Sequence, residues 1–246
     1  MAKKEKIEEL FDNIAPEYDY LNHLLSLEID KTWRRKAVNE IVDTDAPQRI
    51  LDVACGTADL TIATARKSLM KLADNSAPHT HITGIDLSEK MLEIGRKKVT
   101  EAGFANEEDS VTINLIKGDC EELPFADSTF DRISSAFGVR NFEHLEKGLK
   151  EMHRTLKQNG KLIILELSIP TNPIIRWFYK LYFLKILPLI GGRISGNRKA
   201  YKYLPASVQN FPQYDTFCKM LHNAGFRTVR HQAFTFGICR MFVAVK

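Results

Sequence analysis

The chain has 246 residues, 44% hydrophobic and 27% charged, with 13 Gly, 9 Pro and a net charge of +4. That length supports a full core, and that balance excludes disordered, collagen-like and linker-dominated classes. Four cysteines (Cys55, Cys120, Cys218, Cys239) contain no CxxC pair, which argues against a disulfide framework and a zinc site and for a reducing compartment. The opening MAKKEKIEELF lacks the apolar core of a signal peptide, so a cytosolic protein is expected.

Residues 5–42 carry apolar positions at helical spacing, interrupted by Pro16. RILDVACG (49–56) reads as a buried strand, followed by a helix over about 60–72 and an exposed polar loop, ADNSAPHTH. HITGID (81–86) reads as a second strand, with Ser88 placed to cap the next helix. VTINLIKGD (111–119) and FDRISSAF (130–137) read as the third and fourth strands. Leu145, Leu149, Met152 and Leu156 mark one helix face, for which Gly160 suits the C-terminal cap, and KLIILELS (161–168) is a fifth strand. TFCKMLHNAG reads as a helix, and TVRHQAF and ICRMFVAV close the chain as strands.

This alternation argues a doubly wound α/β sheet. The last two strands are too close together for a crossover helix, so they should form an antiparallel hairpin at one end of a mostly parallel sheet.

Charge is unevenly spread. The 48 residues from Leu167 to Tyr214 contain no Asp or Glu but hold seven bases: Arg176, Lys180, Lys185, Arg193, Arg198, Lys199 and Lys202. They also contain nine of the 23 aromatics. Such a block suggests an anionic or lipidic partner; no nucleic-acid partner is expected.

Ligands of doubly wound sheets bind at the carboxyl ends of the strands. The first strand ends in Asp52, and the turn that follows contains Gly56, where backbone approaches a ligand at the next helix N-terminus. Asp86 ends the second strand, placed either to accept two ribose hydroxyls or to begin the helix. Asp119, after the third, is placed to accept an adenine amino group. The distance from Gly56 to Asp86 exceeds the usual NAD spacing, and with the hairpin it favours S-adenosylmethionine over NAD.

The Asp52–Asp59 turn, Asp86 and the hairpin resemble a class I methyltransferase. Four stretches resemble the ubiquinone/menaquinone biosynthesis C-methyltransferase family: FDNIAPEYDYLNHLLSLEIDKTWR, AFGVRN (136–141), GKLIILELSIP and YKYLPASVQNFP. Departures are Leu21, Asp30, Ala58 and Gln158-Asn159, where the family favours Met, His, Gly and Pro-Gly.

The resemblance implies one Rossmann-like methyltransferase domain over 1–246. Residues 1–45 would form a helical lid, and residues 169–214 an insertion covering the substrate. It implies S-adenosylmethionine contacts at Thr57, Asp86 and the Asp119-Cys120 pair, and no metal. It also implies ring C-methylation of a reduced, isoprenoid-tailed quinol resident in the membrane: demethylmenaquinol or its ubiquinone-pathway counterpart. Another lipophilic acceptor and a non-catalytic scaffold are the alternatives, and a homo-oligomer stays open.

Arg140 and Asn141 follow the fourth strand on the ligand side. An arginine stays protonated, so Arg140 would stabilise a developing phenolate or position a water, unless it pairs structurally with a carboxylate such as Glu143. Tyr18 and Asn22 would lie over the reacting groups or simply pack the N-terminal helices. Residues 173–192 are too interrupted by charge and Pro188 to span a bilayer, and read either as a lid or as a lid that also meets anionic lipid at the cytoplasmic face of the membrane.

Overall fold

A computed structural model describes residues 3–72, 79–106, 108–183 and 198–246. The side chains of Asn22, Arg198, Lys199 and Lys202, the residues Lys185, Pro188 and Arg193, and most of the 73–81 loop lie outside the described residues.

Seven strands form one sheet: β1 (Arg49–Val53), β2 (Thr80–Asp86), β3 (Val111–Lys117), β4 (Phe130–Ala136), β5 (Leu156–Leu167), β6 (Thr228–Phe234) and β7 (Cys239–Val245). Their order is β3-β2-β1-β4-β5-β7-β6. β3 through β5 run parallel, while β7 pairs antiparallel with both β5 and β6. The mixed, doubly wound sheet expected from the strand spacing is therefore present, with the order reversing between β1 and β4.

The described helices are α1 (Lys4–Ile14), α2 (Tyr18–Leu25), α3 (Ile29–Ile41), α4 (Asp59–Lys71), α5 (Glu89–Glu101), α6 (Leu145–Thr155), α7 (Pro173–Leu181), α8 (Arg198–Asn210) and α9 (Asp215–Asn223). Alternation along each strand sends side chains to opposite faces. Ile50, Ile163 and Leu165 pack with Trp33, Ile41, Leu60 and Leu92 of α3, α4 and α5. Leu51, Val53, Leu162 and Ile164 pack with Leu149 and Met152 of α6 and Phe217 and Leu221 of α9. Each such side chain contributes on the order of 1.5–3 kcal/mol by leaving water.

Ser88 caps α5 as expected, its hydroxyl accepting from the Met91 N–H at 3.2 Å. Gly160 does not cap α6. The helix stops at Thr155 because Leu156 turns extended, and Gly160 lies inside β5, within the register shift between the Phe130–Leu156 and Arg132–Lys161 pairs. Asn159 takes the left-handed conformation there, at φ 62°.

Candidate functional site

At the carboxyl ends of β1, β2 and β3 lies a cavity of about 80 Å³, walled by the turn after β1, by Asp86, by Asp119–Glu121 and by α1. In that turn Ala54, Gly56 and Ala58 all have positive φ, between 55° and 67°. For two alanines this is strained backbone, of the kind that collects at binding sites. Ala58 begins α4 in this conformation, where a glycine would bear no strain. The next loop approaches closely: a Cβ on Gly138 would sit 2.5 Å from the Ala54 Cβ.

Asp86 is held in place by the backbone around it. Its carboxylate accepts from the Gly56 N–H at 2.8 Å and the Ser88 N–H at 2.9 Å. Burial raises its pKa above the ordinary carboxylate value, and these backbone donors oppose that rise. The helix-start reading of Asp86 is therefore met by its contact with the Ser88 N–H, and the same carboxylate lines the cavity where the ribose reading would place it.

Asp119 and Cys120 also line the cavity. Asp119 accepts from the Glu121 N–H and holds the Lys4 ammonium of α1, and these contacts keep its carboxyl below the ordinary range despite burial. Burial, then the negative charge of Asp86, pushes the Cys120 thiol up, so it remains a neutral wall and not a nucleophile.

Asp52 and Thr57 do not line the cavity. Thr57 is buried and donates to Asp19 at 2.5 Å, tying the turn to α2. Asp52 is buried beneath the turn, accepting from the Thr61 hydroxyl at 2.6 Å and the Ser134 hydroxyl at 2.8 Å. It braces β1 against α4 and β4. Burial lifts its pKa to about 6.

A raised folded pKa gives a contribution to stability that is present at low pH and lost as pH rises through about 6. Asp52→Asn keeps the shape and removes the buried charge. Denaturant unfolding at pH 5 and pH 7 should show the wild type losing on the order of 1–3 kcal/mol from this group and the variant not. An unchanged pH dependence in the variant would place that charge effect elsewhere.

A second cavity, of about 350 Å³ and overwhelmingly apolar, lies beside the first. Its walls come from α3 (Trp33), the end of β5 (Leu167), α7 (Ile175, Tyr179) and the β6–β7 turn (Thr235, Ile238). Tyr18 and Phe137 line both cavities and so form the wall they share. Asn141 faces the first cavity, its side-chain oxygen accepting from the Tyr203 hydroxyl at 3.0 Å.

Arg140 faces the second cavity. Its partner is Glu166 of β5, at 2.8 Å, and not Glu143, which instead accepts from the Lys4 N–H. Glu143 points toward α1, whereas Glu166 sits on the strand directly beside Arg140. The guanidinium also donates to the Phe137 carbonyl and, at 3.3 Å, to Ser207 of α8. Burial opposes the charge on Arg140, but Glu166 outweighs it and holds the guanidinium protonated. Burial likewise raises Glu166, which is fully buried, against the pull of Arg140 and two N–H donors.

Sequence reasoning missed Glu166, although a lone acid inside the apolar run KLIILELS signals a buried partner. It also missed a charge network holding α2 and α3 to the domain. His23 lies 2.9 Å from Asp30 and 3.4 Å from Asp59, Arg34 lies 3.4 Å from Asp30, and Lys98 bonds both Asp19 and Asp59.

The ubiE/COQ5 methyltransferase family model matches residues 1–246. The chain belongs to this family. A ubiquinone/menaquinone biosynthesis C-methyltransferase of Geotalea daltonii is 44% identical over 245 residues, covering 99% of this chain and 97% of that protein. A demethylmenaquinone methyltransferase of Bacteroides fragilis is 42% identical over 244 residues, covering 99% and 94%. A SAM-dependent methyltransferase of Thermotoga maritima, described as a possible histamine N-methyltransferase, shares the fold at TM-score 0.63 and 17% identity, covering 97% and 98%. The fold is that of class I methyltransferases, and the family places S-adenosylmethionine with this chain. The first cavity suits it chemically: Asp86 is held as an acceptor, and the buried Glu121 offers a carboxylate oxygen with no hydrogen-bond partner among the described residues.

Proposed function

We propose that the protein methylates a ring carbon of demethylmenaquinol, giving menaquinol, with S-adenosylmethionine as donor. The observation that carries this reading is the shared wall. A cavity whose wall carries the acids Asp86, Asp119 and Glu121 and a larger apolar one meet at Tyr18 and Phe137, so a charged donor and a lipophilic acceptor can be presented to each other. The substrate named for the Bacteroides fragilis relative is of that lipophilic kind.

Asp86 would accept the ribose hydroxyls, Asp119 the adenine amino group once Lys4 releases it, and the Asp119-Cys120 backbone would line the adenine pocket. Thr57 and Asp52 would act from beneath, holding the turn. When bound, S-adenosylmethionine supplies an already activated methyl group. The chain then has to align the acceptor carbon with that methyl and favour electron density on the ring.

Arg140 lines the apolar cavity with its charge fixed by Glu166, and would stabilise the oxyanion that develops as the quinol hydroxyl gives its proton to water. Tyr18 would pack over the reacting groups, and Asn141, oriented by Tyr203, would fix the floor between the cavities. The N-terminal helices and α7, which wall the cavities, would exclude water.

The test is transfer of isotopically labelled methyl to demethylmenaquinol and, separately, to the ubiquinone-pathway precursor. Label in menaquinol is the expected result. Label only in the ubiquinone-type product would shift the assignment to that ring, and label in neither would overturn the quinol reading.

A further inference from the structure

Helix α7 has three faces. Ile175 and Tyr179, with Tyr182 just past the end of the helix, spaced four and three apart, line the apolar cavity. Ile174, Trp177, Phe178 and Leu181, at i, i+3, i+4 and i+7, form an adjacent stripe that meets the cavity at Phe178, and the first three are 60–68% exposed. Arg176 and Lys180 lie between the two. A soluble helix normally turns charge to water; this one turns its aromatics.

Two distant parts of the chain bring similar side chains to the same opening. Leu27, between α2 and α3, is 76% exposed and borders the apolar cavity. Phe236, 77% exposed, sits at the tip of the β6–β7 turn beside Thr235, a cavity residue whose hydroxyl accepts from the Trp33 indole at 2.8 Å. Three segments that share no sequence neighbourhood thus contribute large exposed apolar side chains around one apolar mouth. Single exposed apolar residues need no explanation, but a rim assembled from three elements does.

We infer that this rim is a membrane-docking face. The α7 stripe, Leu27 and Phe236 enter the interfacial layer of an anionic bilayer, so that the apolar cavity opens directly onto acyl chains. The charge pattern selects lipid over a protein partner. No acid occurs between Leu167 and Tyr214, the exposed Lys180 lies along one edge of the stripe with Arg176, whose guanidinium donates to the Pro170 and Thr171 carbonyls, and the nearby Glu28 pairs with Lys31 at 2.9 Å. Among the described residues no helix is long and apolar enough to cross a membrane, so the contact is interfacial. The inference rests on the quinol reading only for its purpose, since an isoprenoid tail would pass from bilayer to cavity without crossing water.

The chain has two tryptophans, Trp33 buried in the cavity wall and Trp177 61% exposed on the stripe, so a blue shift on lipid binding reports chiefly Trp177. Vesicles of equal parts phosphatidylglycerol and phosphatidylcholine should shift its emission to the blue. Lipids brominated on the upper acyl chain should quench it, and added salt should weaken both effects. Ile174→Ser with Phe178→Ser should reduce co-sedimentation at least about tenfold. Leu27→Ser with Phe236→Ser, on elements outside α7, should do the same, which guards against a local defect in the helix.

No blue shift and no quenching in the wild type at low salt would overturn the docking face. So would rim variants that leave vesicle binding intact while dissociating a dimer, because the rim would then meet a second copy of the chain. Methylation of a short-tailed, water-soluble quinol separates the two ideas. Vesicle binding without that activity sinks the quinol reading alone, and activity without vesicle binding sinks the docking face alone.

Discussion

Arg140→Ala is expected to destabilise the protein by roughly 3–5 kcal/mol, because it leaves Glu166 buried without its counter-charge. That loss would obscure any effect on catalysis, so the informative variant removes both charges. Arg140→Met with Glu166→Gln keeps the approximate volume and leaves no uncompensated ion, and its stability should return to near the wild-type value. Its turnover should still fall about 10²–10³-fold, the usual consequence of removing a donor to a developing oxyanion. Cofactor affinity should be nearly unchanged, since Arg140 faces the apolar cavity and not the acid-lined one. Unfolding curves, calorimetric titration with S-adenosylmethionine and methyl-transfer rates distinguish these outcomes. A stable double variant with normal turnover would leave Arg140 as a purely structural tie between the β4 end, β5 and α8.

The same residue marks the limit of what is legible in a sequence. The strands, the closing hairpin and the Ser88 cap are local events: alternation, a short connection, or a hydroxyl three residues before the N–H it accepts from. They could be placed from the residues alone. Partners that meet only through packing could not. Arg140 finds Glu166 instead of the nearer Glu143, Thr57 finds Asp19, and Asp119 finds Lys4, because the sheet order and the N-terminal helices decide who is adjacent. Gly160 failed as a cap for a related reason. Cap propensity is a local preference, and the pull of β5 toward β4 and β7 overrode it. The exposed rim was half visible. Helical spacing marks the α7 stripe, but nothing in the chain places Leu27 and Phe236 beside it.

Asp86→Ala is expected to weaken S-adenosylmethionine binding about a hundredfold, roughly 3 kcal/mol. Two hydroxyl donors on one ionised carboxylate account for that figure, at about 1.5–3 kcal/mol each before partial compensation by water. Asp86 also holds the Gly56 and Ser88 N–H groups, so alanine loosens the turn as well as removing the acceptor. Asp86→Asn separates the two roles. It keeps an oxygen for one backbone donor but loses the charge, and its affinity should fall between those of the wild type and the alanine variant.

The wild type carries a further sign of the same assignment. Because burial raises the Asp86 pKa, the charged form that accepts both hydroxyls is lost at a higher pH than for an ordinary carboxylate. Affinity should therefore decline as the solution becomes mildly acidic, and the decline should be absent in Asp86→Asn. Calorimetric titration of the three proteins across that range is the measurement. A folded Asp86→Ala protein that binds as tightly as the wild type would mean that the ribose is held elsewhere. Asp86 would then be only the brace that its two backbone contacts already make it.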